Sequence, residues 1–261
     1  MGTMSQSRLQ QLLYGGMVER KREKKNTAAT VAEHRLSMAM ENYLLSILRL
    51  GEQGVKVTLT QLSEHLKVVP SGEGLGTSLP TVGGMIRRMI REGLVEMTPN
   101  KDVVLTTKGK PFAESILRRH RLAERFVVDV LGLELKQAHI EAHRLEHAMS
   151  PEIEQLIVQK LGNPTTCPFG HPIPGSDFQP PKDETVLAKA KAGGDYVVCR
   201  IPEDDQALLE YFVDNLMIPG EVITVKEISM PRGVISLQSR SGEIVFGYEV
   251  SKHIWVRPAT P

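Results

Sequence analysis

Residues 78–107 read SLPTVGGMIRRMIREGLVEMTPNKDVVLTT and predict one helix followed by a two-stranded hairpin. Ser78 is a favourable N-cap with a proline in the turn after it, and Gly93 is a favourable helix stop. The runs at 94–98 and 103–107 are rich in strand-forming residues and flank a Pro-Asn-Lys-Asp turn. A helix that leads directly into a hairpin is typical of the second half of a winged helix-turn-helix.

Two further helices are predicted upstream of this stretch. Residues 40–50 carry apolar side chains at helical spacing and stop at Gly51, and residues 58–66 form a shorter helix with a threonine cap. The segment 69–77 is rich in glycine, proline and serine and predicts a loop. Three helices and a two-stranded wing predict a winged helix-turn-helix domain over residues 37–108.

The middle of the chain predicts a helical domain over residues 109–175. Apolar periodicity places its helices at about 109–131, 135–148 and 151–161. The four prolines and two glycines of 163–175 exclude regular secondary structure there.

The last third of the chain predicts a small β domain. Residues 176–183 are interpreted as a linker, and one helix is expected at about 205–215 within the domain at 184–261. Five short strands are expected, at 196–201, 221–225, 234–238, 243–246 and 253–256. They favour an SH3-like barrel, so the predicted fold is mainly α with a small β part.

Residues 1–36 differ in composition from everything that follows. The charged run ERKREKK at 19–25 lies in a stretch without sustained apolar periodicity. This predicts a flexible, solvated basic extension. A basic arm that touches DNA phosphate is the alternative.

Residues 139–147 read HIEAHRLEH and carry the strongest functional signal. On a helix, their three histidines and one carboxylate fall within about a quarter of the circumference. A second pair lies at i, i+4 on the preceding helix. The residues of this pattern are His120, Glu124, His139, His143, Glu146 and His147. Imidazole nitrogen with carboxylate oxygen is the ligand set of a borderline divalent transition metal, whereas the alternative is chance recurrence of surface histidines.

Composition excludes few classes of protein. The formal net charge of the 261 residues is +1, so any nucleic-acid surface must be a local patch. The two cysteines, Cys167 and Cys199, lie in different segments and favour a reducing cytoplasm. No run approaches 18 consecutive apolar residues, so we expect no membrane partner.

The order and identity of several motifs resemble one known family. Its most specific stretches are RHRLAERF at 119–126, the Glu146-His147 pair, and CPFGHPIPG at 167–175. Over about residues 38–258 the chain resembles the diphtheria toxin repressor family of iron- and manganese-dependent repressors. The resemblance implies a metal-binding and dimerisation role for the helical domain. It also implies that the C-terminal module is similar to a domain of ferrous-transport accessory proteins.

The resemblance implies two metal sites. The ancillary site falls on His120, Glu124 and His139, with Glu203 and Gln206 as further ligands from the C-terminal domain. The primary site falls on Asn42, His143, Glu146 and His147. Iron-type relatives have Met and Cys where this chain has Asn42 and His143, and manganese-type relatives have carboxylates at both. We expect Mn(II) or Fe(II), with Co(II), Ni(II) and Zn(II) binding more tightly in vitro.

The resemblance also implies DNA contacts at the start of the helix near 78–91. They fall on Ser78, Pro80 and Thr81, whose hydroxyls suit phosphate and whose apolar atoms suit thymine methyl groups. For Arg87, Arg88 and Arg91, phosphate and solvent remain equal alternatives. The family's glutamine in this helix is replaced by Gly84, so direct base readout is expected to differ.

Another motif resembles a ligand pair. Cys167 and His171 have ligand-like spacing but lie in the proline-rich connector, and we expect a structural role for them.

The function implied by the resemblance is a metal-dependent transcriptional repressor that binds double-stranded operator DNA. Its homodimer would form through the helices at about 109–161. A DNA-binding protein with purely structural metals is one alternative, and a metallohydrolase is another. The winged helix and the lack of a candidate nucleophile count against hydrolysis, so we expect no enzymatic activity.

Overall fold

The structure, a computed structural model, describes residues 36–69 and 75–259. The predicted basic extension lies outside the described residues except for Leu36, and so do residues 70–74 of the predicted loop. Among the described helices, none is both long enough and apolar enough to cross a membrane.

The N-terminal part is a winged helix. Its helices are α1 (Met38–Glu52), α2 (Leu59–Val68) and α3 (Leu79–Arg91), followed by strands β1 (Val95–Met97) and β2 (Val103–Leu105). The two strands pair antiparallel and form the wing.

Side-chain caps start all three of these helices. Ser37, Thr58 and Ser78 are the N-caps, and each accepts a hydrogen bond from a backbone N–H in the first turn. Their apolar faces meet in one core, whose buried members include Leu44, Leu62, Ile86, Met89 and Leu94. This packing ties the position of α3 to that of α1.

The helical domain follows as α4 (Gly109–Asp129), α5 (Leu135–Leu145) and α6 (Pro151–Lys160). The prediction that α5 would continue to residue 148 was wrong, because the chain turns just before Ser150 and Pro151. A residue that precedes proline disfavours the α conformation, and Ser150 is extended, with φ −78° and ψ 160°.

The C-terminal part is a barrel-like sheet of six strands. These are β3 (Thr185–Val186), β4 (Asp195–Arg200), β5 (Val222–Ser229), β6 (Val234–Gln238), β7 (Glu243–Gly247) and β8 (Trp255–Pro258). Their order in the sheet is β3-β8-β4-β5-β6-β7, and a helix α7 (Gln206–Asp214) follows β4. The predicted combination of winged helix, helical domain and SH3-like barrel is confirmed.

The strand predictions erred in three places. Strand β5 continues four residues beyond its predicted end at residue 225, to Ser229. The two-residue strand β3 is too short to leave a periodic signal. The last strand begins at Trp255 and not at residue 253, because Tyr248–His253 forms 3-10 turns.

The barrel packs directly on the helical domain. Its hydrophobic core includes Val127 of α4, Ala138 of α5, and Cys167 and Phe169 of the proline-rich connector. This shared core holds the segment after β4 against α4 and α5, so that Glu203 is buried close to both helices.

Candidate metal centre

A group of polar side chains is buried where α1, α4, α5 and the barrel meet. Each is at most 8% exposed, and the group comprises Asn42, His120, Glu124, His139, His143, Glu146, His147 and Glu203. These are eight of the nine predicted metal ligands. Buried histidines and carboxylates are costly unless they are paired or coordinate a cation, so this group requires an explanation beyond folding.

The ancillary site joins α4, α5 and the barrel. His120 Nε2 lies 2.9 Å from Glu124 Oε1, and His139 Nδ1 lies 3.1 Å from the same oxygen. Glu203 presents a carboxylate oxygen within 4.8 Å of ligand atoms of Glu124 and His139. One turn of helix between His120 and Glu124 sets both side chains on the same face of α4.

The primary site joins α1 to the end of α5. Asn42 Oδ1 lies 3.0 Å from His147 Nε2, and that nitrogen lies 3.2 Å from Glu146 Oε1. His143 Nδ1 also lies 3.2 Å from Glu146 Oε1. The carboxylate of Glu146 is therefore the centre of this site.

The two sites are continuous in this structure. His120 Nδ1 lies 2.5 Å from Glu146 Oε2. This hydrogen bond joins His120 of the ancillary site to Glu146 of the primary site. The ring of His143 lies 4.5 Å from that of His120 and 4.7 Å from that of His139. His143, predicted as a primary ligand, is in contact with both sites.

The pKa values of His120 and His143 are shifted in opposite directions by burial and by the carboxylates of Glu124 and Glu146. Burial alone would lower the pKa of His120, but Glu124 and Glu146 more than offset it and raise the pKa to about 9. Burial lowers the pKa of His143 to about 3, because Glu146 offsets it only partly and the positive charge of His120 adds to it. At neutral pH His120 is protonated and His143 is neutral.

The carboxylates stay ionised despite their burial. Desolvation would raise the pKa of Glu146, but His143 and His120 hold it well below its usual range. Burial would also raise the pKa of Glu124, but His120 and His139 hold it well below its usual range. Both buried carboxylates therefore carry negative charge at neutral pH.

Sequence reasoning missed the residues that orient His147. Glu41 Oε2 lies 2.7 Å from His147 Nδ1, and Arg119 donates to Glu41 Oε1 at 2.7 Å. A carboxylate on the second nitrogen of a ligand histidine fixes its ring orientation and tautomer. Adjacent helical residues point about 100° apart, so the position of Glu41 next to Asn42 gave no signal of this contact.

Sequence reasoning also missed the residues that contact Glu203. Arg49 donates to Glu203 Oε1 at 2.8 Å and pairs with Asp204 Oδ1 at 2.6 Å. His171 Nε2 lies 2.6 Å from Glu203 Oε2. Arg49 follows Asn42 by seven residues, two helical turns, and this spacing was the available signal.

The structure does not bring Gln206 into the buried group. Its amide nitrogen donates to the backbone oxygen of Lys136 at 2.9 Å and to Glu210 at 2.8 Å. A ligand role for Gln206 stays a prediction. Cys167 is fully buried in the connector, where its backbone N–H donates to the carbonyl of His171, which is consistent with a structural role for Cys167.

The donors of this group fit a divalent transition metal. They are nitrogens of histidine and oxygens of Glu and Asn, which suit ions of the first transition row. The Oε2 atom of Glu124 is buried and has no hydrogen-bond partner among the described residues. A buried carboxylate oxygen without a donor is unfavourable, and coordination to a cation would satisfy it.

The predicted DNA contacts lie on an exposed helix start. Ser78, Pro80 and Thr81 are all exposed, and the hydroxyls of Ser78 and Thr81 lie 2.9 Å apart. The N-cap bond from the Thr81 N–H to Ser78 Oγ fixes this turn.

Arg87 and Arg88 of α3 are both exposed but differ in their contacts. Arg88 donates to Glu92 Oε1 at 3.0 Å, so a carboxylate already partners it. The guanidinium of Arg87 lies back along the helix: a Cβ on Gly83 would come within 3.4 Å of it, and one on Gly84 within 3.9 Å. The guanidinium of Arg87 thus lies beside these two glycines.

Three family models match consecutive parts of the chain. The iron dependent repressor N-terminal DNA binding domain matches residues 35–103. The iron dependent repressor metal binding and dimerisation domain matches 106–175, and the FeoA domain matches 185–258.

Individual relatives of the chain are also named as repressors. The iron-dependent repressor IdeR of Mycobacterium leprae is 44% identical over 135 residues, and the match spans 52% of this chain and 55% of the relative, about half its length. The diphtheria toxin repressor of Corynebacterium jeikeium is 32% identical over 200 residues, which are 73% of this chain and 72% of that one.

A solved structure is also similar over most of the chain. It is a manganese-dependent transcriptional repressor in complex with manganese, at a TM-score of 0.72 and 32% identity. The match covers 84% of this chain and 99% of that one.

Proposed function

Because the chain belongs to the diphtheria toxin repressor family, we propose that it is a metal-dependent transcriptional repressor that controls genes of metal homeostasis. In this proposal it binds double-stranded operator DNA as a homodimer when Mn(II) or Fe(II) is bound. The observation that carries the proposal is the 3.0 Å contact between Asn42 and His147, because it joins the winged helix to the helical domain within a buried ligand set.

The mechanism follows from the domains that these residues join. Asn42 is on α1, which shares its core with the DNA-reading helix α3, and Glu146 and His147 directly follow α5. A bound cation supplies positive charge that donors from both domains share. Glu41 holds the ring of His147 toward Asn42, so the orientation of α1 relative to the helical domain is fixed through this pair.

The effect on DNA binding is a shift in population. A chain whose α1 is held to the helical domain has α3 in one fixed place relative to that domain. In a dimer, two such helices are then spaced for successive major grooves. Ser78 and Thr81 would contact the backbone and base edges at the start of α3, and Arg87 would contact phosphate.

Exposed apolar residues on α6 support a homodimer. Ile153 and Leu156 are 49% and 63% exposed, and Ile157 is the buried residue on this helix. Apolar side chains exposed together on one helix are a common feature of association surfaces. The matched family model for 106–175 carries dimerisation in its name.

The relatives favour regulation over hydrolysis, because they are named as repressors. An operator-binding protein acts where the chromosome is, and we therefore propose a cytoplasmic location.

The test is DNA binding with and without metal. Fluorescence anisotropy on DNA from upstream of the protein's own gene is measured with chelator, then with Mn(II) or Fe(II) added without oxygen. We expect binding only after metal is added, and a fall in affinity as salt is raised. Equal binding in chelator and in metal would instead favour the second candidate, a DNA-binding protein whose metals are purely structural.

A further inference from the structure

Arg49 is a buried cation in direct contact with the ancillary site. Its side chain is 3% exposed, and its Nη1 lies 3.5 Å from Nε2 of the candidate ligand His120. Its Nη2 donates to Glu203, which is also a candidate ligand. The guanidinium therefore already occupies one oxygen of a carboxylate that a metal in this site would use.

The same arginine connects two domains. Arg49 lies on α1 of the winged helix, whereas its partners Glu203 and Asp204 follow β4 of the barrel. Arg49 and Glu203 are 154 residues apart in the sequence. Gln53, the C-cap of α1 and one turn after Arg49, donates to Asp204 Oδ2 at 2.5 Å. Two successive carboxylates of the barrel are thus held by one face of α1.

We propose that Arg49 holds the barrel on the winged helix in the metal-free protein, and that metal at the ancillary site competes with Arg49 for Glu203. Arg49 is a positioning residue in this proposal. It sets how tightly the ancillary site binds a cation, and it couples occupancy of that site to the contact between α1 and the barrel.

Charge explains the competition. A divalent cation and a guanidinium on the same carboxylate repel each other, and the repulsion is strong where water is excluded. Asp204 makes the exchange feasible, because it lies 2.6 Å from Arg49 and remains as a partner when Glu203 turns to metal. Arg49 is therefore never left as an unpaired buried charge, which would be prohibitively unfavourable.

This inference rests on the proposed function only for the nature of the competing cation. Its test uses Arg49→Met, with Arg118→Met as a matched control. Arg118 also pairs with a carboxylate, but its partner Glu154 lies on α6 of the same helical domain. Both variants are made in the full chain, with and without His147→Ala, which leaves the ancillary site as the measured one.

Two readouts are required. In the metal-free form, small-angle scattering should give a larger radius of gyration for Arg49→Met than for the wild type or Arg118→Met. The affinity of the ancillary site for Mn(II), from competition with a chelating dye, should rise on the order of tenfold in Arg49→Met, because the competing charge is gone. A residue with only a structural role would lower that affinity or leave it unchanged.

A second variant keeps the test decisive if Arg49→Met does not fold. Asp204, whose side chain is 20% exposed, is changed in Asp204→Asn. Arg49 then has Glu203 as its one remaining carboxylate partner among the contacts described here, so Mn(II) affinity at the ancillary site should fall. Opposite changes in the two variants support the proposal, and a fall or no change in Arg49→Met, or a rise in Asp204→Asn, overturns it.

The two hypotheses fail separately. If DNA binding by the wild type is independent of metal, the proposed function is wrong, whereas the metal-free scattering of Arg49→Met still tests the role of Arg49. If DNA binding responds to metal and Arg49→Met has the scattering and affinity of the wild type, the role of Arg49 is wrong and the function stands.

Discussion

The primary and ancillary sites share buried histidines and carboxylates, but they join different parts of the molecule. The primary site connects α1 to the end of α5 through Asn42, and the ancillary site connects α4 and α5 to the barrel through Glu203. They also differ in their positive charge, since Arg49 and a protonated His120 lie in the ancillary site. The comparison indicates that the primary site is suited to control the DNA-reading domain and the ancillary site to control the barrel.

The largest expected effect separates the two sites by their ligands. His147→Ala should reduce metal-activated DNA binding by about 100-fold or more, because it removes the link from α5 to α1. His139→Ala should cost about tenfold, because it acts on the site that joins the barrel. The measurement is anaerobic Mn(II) titration of DNA binding by anisotropy.

His253→Ala is the control for these variants, since His253 is a half-buried histidine of the barrel outside the buried ligand group. Equal losses in His147→Ala and His139→Ala would remove the distinction between the sites.

The second prediction uses the opposite pKa shifts of the two sites. His120, with a pKa of about 9, is protonated at pH 7 and must lose its proton to bind metal, so ancillary affinity should rise with pH. One released proton gives about a tenfold rise per pH unit between roughly pH 7 and 8. His143, with a pKa of about 3, is already neutral there and adds no pH dependence to the primary site.

The measurement is Mn(II) affinity at about pH 7 and about pH 8 in two variants. His147→Ala isolates the ancillary site, and His139→Ala isolates the primary site. A steeper pH dependence is expected for the ancillary site. The same slope in both variants would contradict the assignment of the proton to His120.

The third prediction tests the charge of the primary site. Asn42→Asp has nearly the same shape and adds a carboxylate, so Mn(II) affinity at this site should rise about fivefold, in line with the preference of that ion for carboxylates. Isothermal titration calorimetry with Mn(II) measures it. Asn215→Asp, at the end of α7, is the control and should leave the affinity unchanged.

The smallest effect concerns the exposed face of α3. Arg87→Ala should weaken binding to any duplex and reduce the salt dependence by about one phosphate contact. Arg88→Ala should have less effect, because Glu92 already pairs with Arg88. Thr81→Ala should weaken operator DNA more than unrelated DNA. The measurement is the slope of DNA affinity against salt concentration for each variant. An unchanged slope for Arg87→Ala would mean that Arg87 faces solvent and does not contact phosphate.

The candidate ligands on α4 and at α5 could be predicted from the sequence because helical spacing is local. His120 and Glu124, or His143 and Glu146, reach each other within one helical turn, so a pattern of three or four residues reveals them. The end of α5 was misjudged because a proline five residues after Glu146 governs the turn, whereas the histidine spacing alone favoured a longer helix.

The contacts that sequence reasoning missed are those between distant segments. The spacing of Arg49 from Asn42 indicates that both lie on one face of α1, but it does not identify Glu203, 154 residues away, as the partner of Arg49. The merging of the two sites around His143 also depends on how α4 packs on α5. Such contacts depend on tertiary packing, which periodicity does not encode.

The central claim is that one buried group holds two cations, one at each site. Equilibrium dialysis of the full chain against Mn(II), with the bound metal counted by mass spectrometry, tests it directly. We expect two ions per chain in the wild type and one in both His147→Ala and His139→Ala. A wild type that binds one ion, or a single-site variant that still binds two, would contradict it.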